Sequence, residues 1–288
     1  MTFKIPPFVI LVVKILGSAA AIALVIYKID WSRFLIIAQK LDVFIILFAF
    51  MLYNLSQIVS ALRCRLYLNL IGLPLSHGQN LSLYYASMLY NLFLPGGIGG
   101  DGFKTFQLRR YSGIETMVIV KALLFDRLNG LLGLIIVAFF AFYWSSLSVY
   151  LLPALWASPV ILAMLVVVSA NIQRIWFSPS TFGFVSTLIY SVLGQLLQMC
   201  AALVLLYGLG VRVHFPLYGL IFLCSSIVAQ APITFGGVGA REITVLTALG
   251  WLGLQTEAGL AMAMLFFVIQ TLSNALGLFW YGYQLQSQ

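Results

Sequence analysis

Apolar runs long enough to cross a bilayer recur along the whole 288-residue chain, and this feature removes most of the folds open to it. A membrane span needs about 20 apolar residues as a helix. In hydrocarbon a helix satisfies its own backbone N–H and C=O groups. Composition agrees: 62% of the residues are hydrophobic and 8% charged, against about 25% charged in soluble domains. So few charges cannot cover a globular surface. The reading is an all-α polytopic membrane protein, one integral domain over residues 1–288.

Six full spans are expected, at about Phe8–Tyr27, Val43–Leu62, Leu128–Trp144, Tyr150–Ala170, Phe184–Tyr207 and Ala258–Tyr283. The first is read as a retained span, not a signal peptide, because Lys14 interrupts a run that continues to Tyr27. Two further apolar helices, about Asn80–Leu94 and Leu217–Gln230, are short for a crossing and stop at glycines. The net charge of +8 is the excess of basic residues expected of cytoplasmic loops. No basic block is interleaved with aromatics, so no nucleic-acid partner is expected. Cys64, Cys200, Cys224, His77 and His214 fit no disulfide or metal spacing, so neither a metal nor a cofactor is expected.

The two stops are "NLFLPGGIGGDGFK" and "APITFGGVGAREIT". The first contains Gly97-x-Gly99-x-x-Gly102, the dinucleotide-binding spacing. That fingerprint needs a preceding strand and a βαβ unit, and here an apolar helix precedes it. Irregular backbone at membrane depth is tolerated only where protein buries it or water reaches it. Pro95, Gly96, Gly97, Gly99 and Gly100, and Pro232, Gly236, Gly237 and Gly239, therefore read as helix breaks at a polar cavity. The alternative is an interfacial turn in which Asp101 only caps a helix. The first outgoing helix is expected to begin near Asp101 or Gly102, with Lys104 in its first turn and Arg109 and Arg110 beyond. Its free N–H groups favour anions. Arg241 and Glu242 open the second.

The glycine clusters match at an offset of 140 residues, and Gln57 and Gly72 match Gln195 and Gly210 at 138. Two repeats follow, 1–144 with a hairpin at about 79–110 and 145–288 with a hairpin at about 216–250. Each holds an odd number of full spans, so re-entrant hairpins would leave the second repeat inverted relative to the first. Basic residues agree. An N-terminus inside puts Lys4, Arg63, Arg65, Lys104, Arg109, Arg110, Lys121, Arg127 and Arg174 on the cytoplasmic side, and only Lys28, Arg33, Lys40, Arg212 and Arg241 outside. Both termini are then cytoplasmic.

Asp126-Arg127, beside the start of the third span, reads either as an interfacial pair or as a cavity-facing Arg127 oriented by Asp126. Arg63 and Arg65 read as cytoplasmic anchors, with contact to a lipid phosphate as the alternative. Gln195 and Gln198 suit interhelical hydrogen bonds. No Ser-His-Asp set, acid/base carboxylate pair or zinc site announces catalysis.

At "ALRCRLYL", "NLFLPGGIGGDGFKTFQLRR", "KALLFDRLNGLLGL" and "APITFGGVGAREITVL" the chain resembles the flippase-like domain family, also described as the lysylphosphatidylglycerol synthase transmembrane region. Members resemble the membrane half of the multiple peptide resistance factor. Phe235, Ala240 and Asp126 depart from the family's usual proline, larger aliphatic and glutamate. The resemblance implies movement of an anionic phospholipid or a polyprenyl-phosphate-linked lipid between leaflets of the inner membrane. Asp101, Lys104, Asp126, Arg127, Arg241 and Glu242 would line the headgroup path, and Arg109 and Arg110 would recruit headgroups at the cytoplasmic surface. The competing expectations are a membrane lipid glycosyl- or phosphotransferase, and a non-transporting partner of a glycosyltransferase or lipid synthase.

Overall fold

The computed structural model describes residues 36, 39, 41–93, 98–147, 152–177, 183–230 and 240–280. Among these every regular element is helical. The order is α1 (Val43–Leu70), α2 (His77–Phe93), α3 (Ile98–Ser112), α4 (Thr116–Tyr143), α5 (Leu152–Trp176), α6 (Phe184–Gly208), α7 (Phe215–Gln230), α8 (Ala240–Trp251) and α9 (Thr256–Ala275). A 3-10 turn over Leu276–Trp280 follows. Five of these segments are long and apolar enough to cross a membrane: α1, α4, α5, α6, and α9 with its 3-10 extension. The expected first span, Phe8–Tyr27, lies outside the described residues, as do Pro95, Gly96, Gly97, Pro232, Gly236, Gly237 and Gly239.

Three boundaries differ from expectation, two of them at charged residues. Helix α1 runs on to Leu70 through Arg63 and Arg65, where the second span was expected to stop at Leu62. Helix α4 starts at Thr116, not Leu128, so Asp126 and Arg127 lie well inside it. Helix α3 begins at Ile98, ahead of the Asp101 start expected, and Gly99 and Gly100 fall in its first turn. For α1 and α4 the reason is that the polar side chains find protein partners. A helix that satisfies them internally need not end where the apolar run ends.

The chain turns are set by glycines in the left-handed region. Gly72 (φ 78°) follows α1 and Gly210 (φ 92°) follows α6. Both helices end in the same paired cap. Gly72 donates to Asn69 O and Leu73 to Leu68 O; Gly210 donates to Tyr207 O and Val211 to Leu206 O. This arrangement satisfies two terminal carbonyls and requires a residue tolerant of positive φ. Gly253 (φ 63°) closes α8 with the same pair, donating to Gly250 O while Leu254 donates to Leu249 O, whereas Gly113 (φ 70°) ends α3 with a single bond to Arg109 O.

Helix α1 packs along α6 at the centre, and the pattern of neighbours is unchanged when α1–α4 are exchanged for α6–α9. Thus α2 packs on α3 and α7 on α8; α4 packs on α6 and α7, and α9 on α1 and α2. Small residues allow the closest approaches. A Cβ on Gly133 of α4 would lie 2.6 Å from Ser191 Cβ of α6.

The bundle is apolar outside and keeps a set of polar side chains within its apolar core. Phe44, Trp156, Val160, Met164, Ile175 and Val185 are exposed. Ser56, Arg63, Lys104, Asp126, Asn129, Gln173, Thr187 and Ser191 are buried. Water would reject such a surface, whereas lipid tails accept it and drive polar groups inward. Trp144, Trp156, Trp176 and Trp251 are exposed at or near helix ends, the place of aromatic belts at the membrane interface. The protein is therefore integral to a membrane.

Candidate functional site

Two charged clusters sit inside the bundle, and α1 touches both levels. At Arg63, α1 meets α4 and α6. The guanidinium donates from Nε to Asp126 Oδ1 at 2.7 Å and from Nη1 to Ser191 Oγ at 3.2 Å. Gly130, one turn after Asp126, makes the slot: a Cβ there would lie 2.8 Å from Arg63 Nη1. Asn129 donates to Thr187 Oγ1 at 2.7 Å, while its own Oδ1 is buried without a hydrogen-bond partner. Tyr67, one turn after Arg63, donates to Gln173 Oε1 of α5 at 2.8 Å. Membrane interiors reward such interhelical bonds because the alternative is a bare polar group in hydrocarbon.

Beside this seam lies a second set of charges on α3 and α4. Asp101, in the first turn of α3, accepts from Arg127 Nε through Oδ2 and lies 3.6 Å from Lys104 Nζ through Oδ1. Lys104 is buried, with its ammonium 4.2 Å from the centroid of the Tyr84 ring on α2. A cation over an aromatic face is held by the ring quadrupole, so Lys104 is positioned by the hairpin partner as well as by its own helix. Tyr90 and Phe103 stack at 4.3 Å between the same two helices. Gly100 donates its N–H to Asn91 Oδ1 at 2.8 Å.

The other cluster is built on α8. Arg241 and Glu242, in its first turn, are both buried. The Arg241 guanidinium lies 4.9 Å from the Phe266 ring and 5.4 Å from the Phe222 ring, and Nη1 reaches Gln270 Oε1 at 3.4 Å. Its Nε is buried with no hydrogen-bond partner. Tyr53 of α1 packs edge-on against Phe266 at 5.4 Å. Tyr53 and Arg63 are ten residues apart on one helix, which puts the two clusters at levels about 15 Å apart along α1.

The sequence-derived residues are thus divided. Asp101, Lys104 and Arg127 come together, and Arg241 and Glu242 stand at the other level. Asp126 pairs with Arg63, and Arg127 pairs with Asp101. Arg109 and Arg110 are exposed at the end of α3, away from these contacts. Arg63, read from sequence as an interfacial anchor, is the residue most misjudged. A signal was present: Tyr53, Ser56, Gln57, Arg63, Cys64 and Tyr67 recur at helical spacing and share the buried face of α1. Among the described residues no group of three or more His, Cys, Asp or Glu side chains is arranged to hold a metal ion.

A search of the curated proteins found no matching relative. A family model described as "Lysylphosphatidylglycerol synthase TM region" matches residues 11–277, and the chain belongs to that family.

Proposed function

We propose that the protein moves a phosphate-bearing lipid between leaflets, an anionic phospholipid or a polyprenyl-phosphate-linked lipid. The observation that carries this reading is the pair of charged clusters, each holding a buried basic side chain (Lys104 or Arg241), at two levels of one apolar bundle. Each includes a charged residue in the first turn of the second helix of a hairpin-like pair, α2–α3 or α7–α8. Helix N-termini and arginine favour phosphate, and acyl chains can remain in the surrounding lipid. Family membership supports a lipid-related role. The neighbour pattern shared by α1–α4 and α6–α9 supports two inverted repeats with related half-sites for the two leaflets.

The test is translocation of labelled phosphatidylglycerol in proteoliposomes. Arg127→Ala and Arg241→Ala should each slow it at least about tenfold while the protein remains folded. Wild-type rates in both variants would overturn the assignment. Chemical conversion of the lipid would favour a transferase instead.

A further inference from the structure

Two acid–base pairs lie side by side at the α3–α4 junction, and they differ in access. The Arg63–Asp126 pair is sealed, its side chains 9% and 8% exposed. Gly130 and Ser191 close against the guanidinium, where even a Cβ at 130 would lie 2.8 Å from Nη1. The Arg127–Asp101 pair is open, at 39% and 25%. Asp101 engages two cations at once, Arg127 through one carboxylate oxygen and Lys104 through the other. A phosphate oxygen pair would make the same two contacts.

We propose that Asp101 is a tethered stand-in for the ligand's phosphate. It holds Lys104 and Arg127 in place and yields them to an incoming phosphate group, so that loading is an exchange of anions. This rests on the reading of the site as a phosphate-lipid site. Three observations carry it. Lys104 is held independently by Tyr84, so the site keeps its shape when Asp101 moves away. Asp101 lies in the first turn of α3, where the helix dipole continues to stabilise a carboxylate that has released its partners. With Asp101 in contact the trio carries one net positive charge, which attracts an anion while the buried Lys104 keeps a counter-charge. The consequence is selectivity: a neutral headgroup cannot displace the carboxylate, and a phosphate can.

The experiment measures binding of short-chain phosphatidylglycerol, inorganic phosphate and short-chain diacylglycerol to the full chain in detergent. Asp101→Asn should bind phosphatidylglycerol roughly three- to tenfold tighter than wild type, the range expected for removing a competitor from a partly exposed pair. Asp101→Glu, which restores the competing charge, should return towards wild type, and diacylglycerol should not respond. Weaker or unchanged binding in Asp101→Asn, with an unchanged melting temperature, would overturn the exchange and make Asp101 a positioning residue for Arg127. If Lys104→Met/Arg127→Met binds phosphatidylglycerol as well as wild type, the site does not hold phosphate and the functional reading itself fails. Tightening towards inorganic phosphate alone would keep the exchange and reject the lipid headgroup as ligand.

Discussion

The Arg63–Asp126 pair has a structural part to play that its neighbour Arg127 does not share. Removing one partner of a buried pair strands a charge in a medium that cannot solvate it. Asp126→Leu should therefore lower stability by about 3–5 kcal/mol, read as the melting temperature of the detergent-solubilised protein. Adding Arg63→Met to that variant should recover most of the loss, because two apolar groups in hydrocarbon need no partner. An additive loss in the double variant would show that the pair is not coupled. Lys104 and Arg241 are held by rings as much as by charge. Arg241→Lys should accordingly lose much of the translocation, since a point ammonium does not reproduce the guanidinium's combined contact with Phe222, Phe266 and Gln270.

Among the elements, the hairpin-like pair α2–α3 depends on one close approach. A Cβ on Gly100 would meet the Ser87 carbonyl oxygen at 2.6 Å. That oxygen is backbone, so the two helices must separate. Gly100→Ala should cost about 1–3 kcal/mol. Gly102 lies two residues further along the same helix with nothing near its Cβ position, and there alanine should raise stability by about 0.5–1 kcal/mol. Melting temperatures of the two variants should thus move in opposite directions; movement in the same direction would refute the packing of α2 on α3. Much of this level was legible beforehand. The long apolar helices, the two short ones and the glycines after α1 and α6 were all visible as local pattern. The ends of α1 and α4 were not, because local hydropathy treats Arg63, Lys121, Asp126 and Arg127 as boundaries. Partners distant in sequence make them interior.

For the whole molecule, the inverted-repeat proposal makes a topological prediction. The loop before α2 and the loop before α7 should lie on opposite sides of the membrane. In a background with Cys64, Cys200 and Cys224 replaced, Ser76→Cys should react with a membrane-impermeant thiol reagent from the cytoplasmic side, and His214→Cys from the other. Labelling of both from one side would reject the inversion. The matching glycine clusters already pointed to two repeats, and the neighbour pattern shared by α1–α4 and α6–α9 bears on the same proposal.

The sequence by itself determined that this chain is helical and lives in a membrane. Those properties follow from the length of apolar runs and from the backbone's need to satisfy itself, and both are local. Only the tertiary structure decided which charges meet. Asp126 and Arg127 are adjacent in the chain, yet successive residues on a helix point about 100° apart and do not face each other. One therefore turns to Arg63 inside the bundle and the other to Asp101 at the open site. Pairing across 63 and 26 residues is a property of how helices pack, and no spacing along the chain encodes it.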